Sequence, residues 1–140
     1  MRIRVADFVA DRAAIRRIRF AVFVDEQQVP EDLELDDRDP LCIHLLVSSD
    51  DNEPVGTGRI DLDASGKIGR VAVVATERRR GVGTALMERF HGIAKQHGLD
   101  AVWCNAQVAA VPFYRQLGYR VASDRFDEAG IEHVRMERNL

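Results

Sequence analysis

The stretch from Lys67 to Ala106 limits the fold more than any other part of the chain. A strand candidate, Lys67 to Val74, leads into the arginine run Arg78-Arg79-Arg80 and the turn Gly81-Val82-Gly83. The clearest helix in the sequence follows, Gly81 to His97, and then a second apolar strand, Ala101 to Ala106. Within the helix Val82, Ala85, Leu86, Phe90, Ile93 and Ala94 recur at helical intervals, and Gly98 stands where a C-terminal cap belongs. Strands flank a strong helix, so a mixed α/β domain is expected.

The remaining segments fit that class. Ile3 to Phe8 alternates apolar and polar residues, as a half-buried strand does. A helical pattern starts at Asp11, a candidate cap, with Ile15, Ile18 and Val22 on one face and Arg12, Arg16 and Arg19 on another. Pro30 lies beyond its end, and the acidic segment 31–39 reads as a loop closed by Asp39-Pro40. Leu41 to Val47, Val55 to Leu62 and Lys67 to Val74 form a meander of strands, with turns at Asp50 to Pro54 and Ala64-Ser65-Gly66. Ala109 to Leu117 is a short helix with Pro112 in its first turn and Gly118 after its end. Tyr119 to Phe126 and Ile131 to Arg138 read as a closing hairpin across Asp127-Glu128-Ala129-Gly130. The order is β-α-β-β-β-α-β-α-β-β, and 140 residues suit one domain, 1–140.

Charge and composition exclude several classes. With 20 Lys+Arg against 23 Asp+Glu the net charge is −3, which argues against a dedicated nucleic-acid binder. The longest uncharged run, Ala101 to Tyr114, is too short for a bilayer, and Met1 to Asp11 carries no signal-peptide core. Cys42 and Cys104 are the only cysteines and read as reduced thiols, so a soluble cytoplasmic protein is expected. The average conceals two poles: Glu31, Asp32, Glu34, Asp36, Asp37 and Asp39 against the lone Arg38, and the arginines at 78–80.

The arginine pole carries chemistry. A strand, then Arg78-x-x-Gly81-x-Gly83, then a helix suits a phosphate. Glycine lets the backbone approach an anion, the first helical N–H groups point at it, and the helix dipole adds about half a positive charge. Arginines supply cationic partners for the same oxygens. No Gly-Lys-Ser/Thr follows, which excludes a P-loop, and no third glycine completes a dinucleotide fingerprint.

Val71-Ala72-Val73, the segment Arg78-Arg79-Arg80-Gly81-Val82-Gly83, Asn105, and Pro112-Phe113-Tyr114-Arg115-Gln116-Leu117-Gly118-Tyr119 together resemble the acyl-CoA-binding core of the GCN5-related N-acetyltransferase (GNAT) superfamily. Val134-Arg135-Met136-Glu137 matches its last strand, and Phe20 to Gln28 resembles the small bacterial ElaA/YjcF-type branch. The resemblance implies a single domain with a central, mostly antiparallel sheet of about seven strands and helices on both faces. It implies an acyltransferase moving an acetyl group from acetyl-CoA, or another short acyl-CoA, to a primary amine in a ternary complex, with no metal. Val71, Ala72 and Val73 would meet the pantetheine arm, and an N–H near Val73 would stabilise the oxyanion. Residues Arg78, Arg79, Arg80, Gly81, Val82, Gly83 and Thr84 would hold the pyrophosphate. Asn105 and Phe113 would line the cofactor, and Tyr114 would protonate the leaving thiolate.

The amine also needs a base, because an alkylammonium starts near pKa ~10.4. The third strand of the meander, where many relatives place a carboxylate, has Lys67, Gly69 and Arg70 instead. Glu26, His44 and Asp61 remain, with Glu26 nearest the expected acceptor groove. His44 sits in an apolar strand, where a structural role is the plainer reading. Cys104 adjoins Asn105, but a buried inert thiol is commoner than an acyl-cysteine. Arg59 and Arg70 would hold an anionic group of the acceptor or pair with Asp61 or Asp63. The acidic 31–39 loop would steer a cationic acceptor. A non-catalytic acyl-CoA sensor or partner-binding module, and a homodimer through the last hairpin, are the alternatives the sequence leaves open.

Overall fold

The structure, a computed structural model, describes residues 1–31 and 35–140. Eight strands form one sheet: β1 (Arg2–Ala6), β2 (Ile43–Ser48), β3 (Pro54–Asp61), β4 (Lys67–Val73), β5 (Ala101–Gln107), β6 (Arg120–Val121), β7 (Phe126–Glu128) and β8 (Ile131–Asn139). Their order is β1-β2-β3-β4-β5-β8-β6, with β7 also on β8. Every pairing is antiparallel except β4 with β5. The helices among the described residues include α1 (Arg12–Arg19), α2 (Val82–Gln96) and α3 (Val111–Gln116), and α1 runs on as a π-helical turn, Phe20–Glu26. The expected mixed α/β domain is present, with one strand more than the seven anticipated.

Each sheet face buries its own apolar cluster. Ile15, Ile18 and Val22 of the first helical segment pack on Leu46 and Ala72. On the other face Val82, Leu86, Met87, Phe90, Ile93 and Ala94 of α2 meet Leu45, Val47, Ile60, Val102 and Met136. Close approach of α2 depends on glycine in β3. A Cβ on Gly56 would lie 2.8 Å from Val82 Cγ1, and one on Gly58 would lie 2.8 Å from Phe90 Cε2. Among the described residues no helix is long and apolar enough to cross a membrane.

Two local expectations are corrected. Asp11 does not cap α1 with its side chain; its carboxylate takes two hydrogen bonds from Arg4, at 2.8 and 2.7 Å, and one from the Asp7 N–H. A bidentate guanidinium outcompetes a neutral helical N–H for the same oxygens. The strand expected over Tyr119 to Phe126 is broken into β6 and β7, which pair β8 in registers two residues apart (Arg120↔Glu137, Phe126↔His133). The Ser123 hydroxyl accepts from the Arg135 N–H where the ladder is interrupted, so a side chain satisfies what a strand partner would.

The acidic pole is also reinterpreted. Asp32 and Glu34 lie outside the described residues. Asp39 is buried and takes both Nη atoms of the buried Arg19, at 3.0 and 2.9 Å. Arg59 reaches Asp36 at 2.6 and 2.8 Å and Asp39 at 2.7 Å, and Arg70 reaches Asp36 at 3.3 Å. Burial pushes the Asp39 carboxyl up, but the two guanidiniums outweigh it and hold it below the usual carboxylate range. Hydrogen bonds from Arg59 hold Asp36 at about 2. Asp36 and Asp39 therefore neutralise internal arginines and are not spare charge for steering an acceptor. Arg59 and Arg70 pair here, while Arg38 takes Asp61 at 2.8 Å and Asp63 at 3.6 Å.

Candidate active site

The parallel neighbours β4 and β5 meet at one register pair, Lys67↔Trp103, and diverge beyond it. The edge of β4 from Ile68 to Val73 consequently has no strand beside it on that side. A cavity of about 780 Å³ occupies the gap, walled by Val71, Ala72 and Val73 on one side and Asn105, Gln107 and Tyr114 on the other. Strand backbone without a neighbour is a template for an extended ligand.

A bulge shapes the β4 wall. The β3 register passes from Thr57↔Ala72 to Arg59↔Gly69, so Arg70 and Val71 together oppose Gly58. Arg70 carries φ +52°, a left-handed conformation that turns the local amides away from the ladder. Bulges of this kind re-aim backbone groups where a strand meets a ligand.

At the open end of β4 the chain reverses into α2. Arg79 and Gly81 both have positive φ, +63° and +82°, and Gly81 is the N-cap of α2 without any side-chain cap. The first N–H groups of this helix are left to an anion or water. Arg78 is fixed between two elements: its Nε donates to Val73 O at 3.0 Å, and its Nη2 donates to Glu26 Oε1 at 2.7 Å. Arg79 and Arg80 are exposed, with Arg80 3.6 Å from Glu77. Of the expected phosphate-binding residues, Arg78 reaches the cavity wall. Val82 is buried in the core, and Gly83 lies under Phe113, where a Cβ would come within 3.3 Å of the ring. Both can offer only backbone to an anion.

Tyr114 is carried on α3, edge-on to Phe113 at 5.1 Å and to Tyr119 at 5.6 Å. Pro112 in the first turn presets φ and starts the helix one 3-10 turn, Val108–Ala110, after β5. Burial pushes the Tyr114 phenol well above its ordinary range, so it carries its proton at neutral pH. Cys104 faces the core, and burial pushes its thiol up to about 12, too high for a nucleophile.

The candidate bases separate clearly. Glu26 ends the π-helical turn, exposed, with its carboxylate on Arg78 and outside the cavity wall. His44 is buried, stacked on Phe8 at 4.6 Å, and its Nε2–H donates to Asp39 O at 2.7 Å; burial lowers its pKa. Asp61 lies on the wall but is occupied by Arg38. Other wall residues escaped the sequence reading. Gln27 and Gln107 bond side chain to side chain at 2.9 Å, joining the α1 extension to β5. His133, on β8, is buried and lines the cavity beside Glu128. Strict alternation along Ile131 to Arg138, which puts His133 and Arg135 on one face, is the signal that would have found it.

Residues 13–140 match the family model described as an acetyltransferase (GNAT) domain. The chain is 40% identical over 124 residues to the uncharacterized N-acetyltransferase YjcF of Bacillus subtilis, covering 87% of this chain and 88% of that one. It is 31% identical over 148 residues to the protein ElaA of Escherichia coli, covering 94% and 90% of the two. The crystal structure of E. coli ElaA superimposes with a TM-score of 0.88 at 28% identity, over 99% of each chain. An acyl-CoA N-acyltransferase from Pseudomonas aeruginosa superimposes with a TM-score of 0.86 at 26% identity, again over 99% of each.

Proposed function

This chain belongs to the GNAT family of N-acetyltransferases, and from that membership we propose that it transfers an acetyl group from acetyl-CoA directly to a primary amine. The observation that carries the reading is the gap between β4 and β5, which ends at an arginine-glycine turn on an uncapped helix. Its residues fit an acyl-CoA in three ways. The free β4 edge over Val71 and Val73 suits the amide-bearing pantetheine arm as an added strand. The N–H groups from Gly81 onward, with Arg78, suit the pyrophosphate. Asn105 and Tyr114 face the gap where a thioester would lie.

In this reading the bulged β4 amides stabilise the oxyanion of the tetrahedral intermediate. Tyr114, kept protonated by burial, delivers its proton to the leaving thiolate. Glu26 fixes Arg78, and through it the Val73 carbonyl, so it serves the cofactor end of the gap. Isothermal titration with acetyl-CoA followed by thiol release across an amine panel tests the proposal. Binding with amine-dependent thiol release is expected. Binding with no release for any amine would make the domain a CoA sensor, and no binding would remove both readings.

A further inference from the structure

We propose that His133 is the base that removes the acceptor's proton, with Glu128 holding the imidazolium that forms; the inference rests on the transferase reading above. His133 Nδ1 lies 2.7 Å from Ile131 O. A carbonyl only accepts, so Nδ1 carries a hydrogen, and Nε2 is the nitrogen left to exchange a proton beside Glu128. Nε2 sits 3.5 Å from Glu128 Oε2, and the ring stacks on Phe126 at 6.0 Å and 22°. The sheet fixes the imidazole from both sides, since His133 opposes Gln107 of β5 and Phe126 of β7.

His133 differs from the other candidates in what its basic atom touches. Glu26 and Asp61 each hold an arginine, and His44 is enclosed against Phe8 and the Asp39 carbonyl. His133 alone of these joins the wall shared with Tyr114 while its Nε2 faces a carboxylate. The charged surroundings are simple. From β7 it faces Glu128; β5 presents the neutral Gln107 and Asn105. Arg135, next on its own face, is spent on Glu137 at 2.9 Å and on the Trp103 ring at 3.9 Å. Arg125 and Glu132 pair with each other on the outside at 3.3 Å.

Nε2 takes one proton from the acceptor ammonium, and the free amine attacks the thioester carbonyl. The C–N bond forms and, on collapse, the C–S bond breaks. Tyr114 gives its proton to the thiolate, and the second nitrogen proton replaces it. The imidazolium then releases its proton to solvent.

The test compares two probe acceptors at pH 7.5 with acetyl-CoA: ethanolamine, protonated at that pH, and hydroxylamine, already neutral. His133→Gln is expected to lower kcat with ethanolamine about 10²-fold or more. Turnover with hydroxylamine and the Kd for acetyl-CoA should stay within about threefold. Equal losses with both probes, or no loss with ethanolamine, would overturn the assignment. Should His133→Gln fail to melt cooperatively, Glu128→Gln decides, since that side chain is 45% exposed. A reduced ethanolamine-to-hydroxylamine ratio supports the proposal and an unchanged ratio overturns it. Wild-type protein that binds acetyl-CoA but releases thiol with neither probe overturns the transferase reading itself, and this inference with it.

Discussion

Single residues carry the strongest energetic commitments in this molecule. Arg19 and Asp39 are each almost fully buried and satisfy one another through two hydrogen bonds. Removing one partner leaves an uncompensated buried charge, so Asp39→Asn should cost about 3–5 kcal/mol in urea unfolding. A cost below about 1 kcal/mol would mean that water reaches Arg19. His91 makes a second prediction. Its Nδ1 accepts from Arg138 at 2.6 Å and its Nε2 contacts the Tyr119 hydroxyl at 2.6 Å, while burial holds its pKa down to about 4. An unfolded histidine titrates near ~6.5. Between those values the unfolded chain binds a proton that the native chain refuses, so stability falls as pH drops from about 6.5 to 4. His91→Gln should flatten that part of the stability profile; an unchanged slope would remove His91 as its source. Sequence reading reached Tyr114 and Asn105 because they sit in local motifs. It missed His133 and the Arg19–Asp39 pair because both acquire their meaning from partners on other elements, at separations no local pattern records.

At the scale of elements, α2 and the meander were legible, since apolar spacing and glycine caps act within a few residues. Gly98 follows the end of α2 with φ +79°, where the sequence placed a cap. The glycines of β3 had a clear role only once α2 was seen against them. Gly58→Ala would drive a methyl into Phe90 and should destabilise by about 1–3 kcal/mol, read as a lower urea midpoint at unchanged slope. No change would mean that Phe90 has room to move. Three features were not legible. The π-helical turn after α1, the β6–β7 interruption and the divergence of β4 from β5 are all set by tertiary pairing. Nothing within Lys67 to Val73 or Ala101 to Gln107 announces that the two strands touch at one pair and then part.

For the whole molecule, the balance of 20 basic against 23 acidic residues takes on a different meaning once the charges are located. Asp36, Asp39 and Asp61 are consumed by Arg19, Arg59, Arg70 and Arg38 in a network that ties α1, β3 and β4 together on one side of the gap. Among the described residues, the charge that remains near the gap includes the arginine turn at its open end, together with Lys67 and Glu128 on the wall. Raising NaCl from about 0.05 to 0.3 M should therefore raise KM for acetyl-CoA, a polyanion, while leaving KM for an amine acceptor nearly flat. A steep salt dependence on the amine side would restore steering by the acidic loop.

The central claim is that the β4–β5 gap performs acyl transfer with Tyr114 as the acid. Thiol release from acetyl-CoA with a productive amine, measured for the wild type and Tyr114→Phe, tests it most directly. The account predicts a kcat lower by about 10²-fold or more in Tyr114→Phe, with the Kd for acetyl-CoA unchanged. An unchanged kcat at every pH would contradict it.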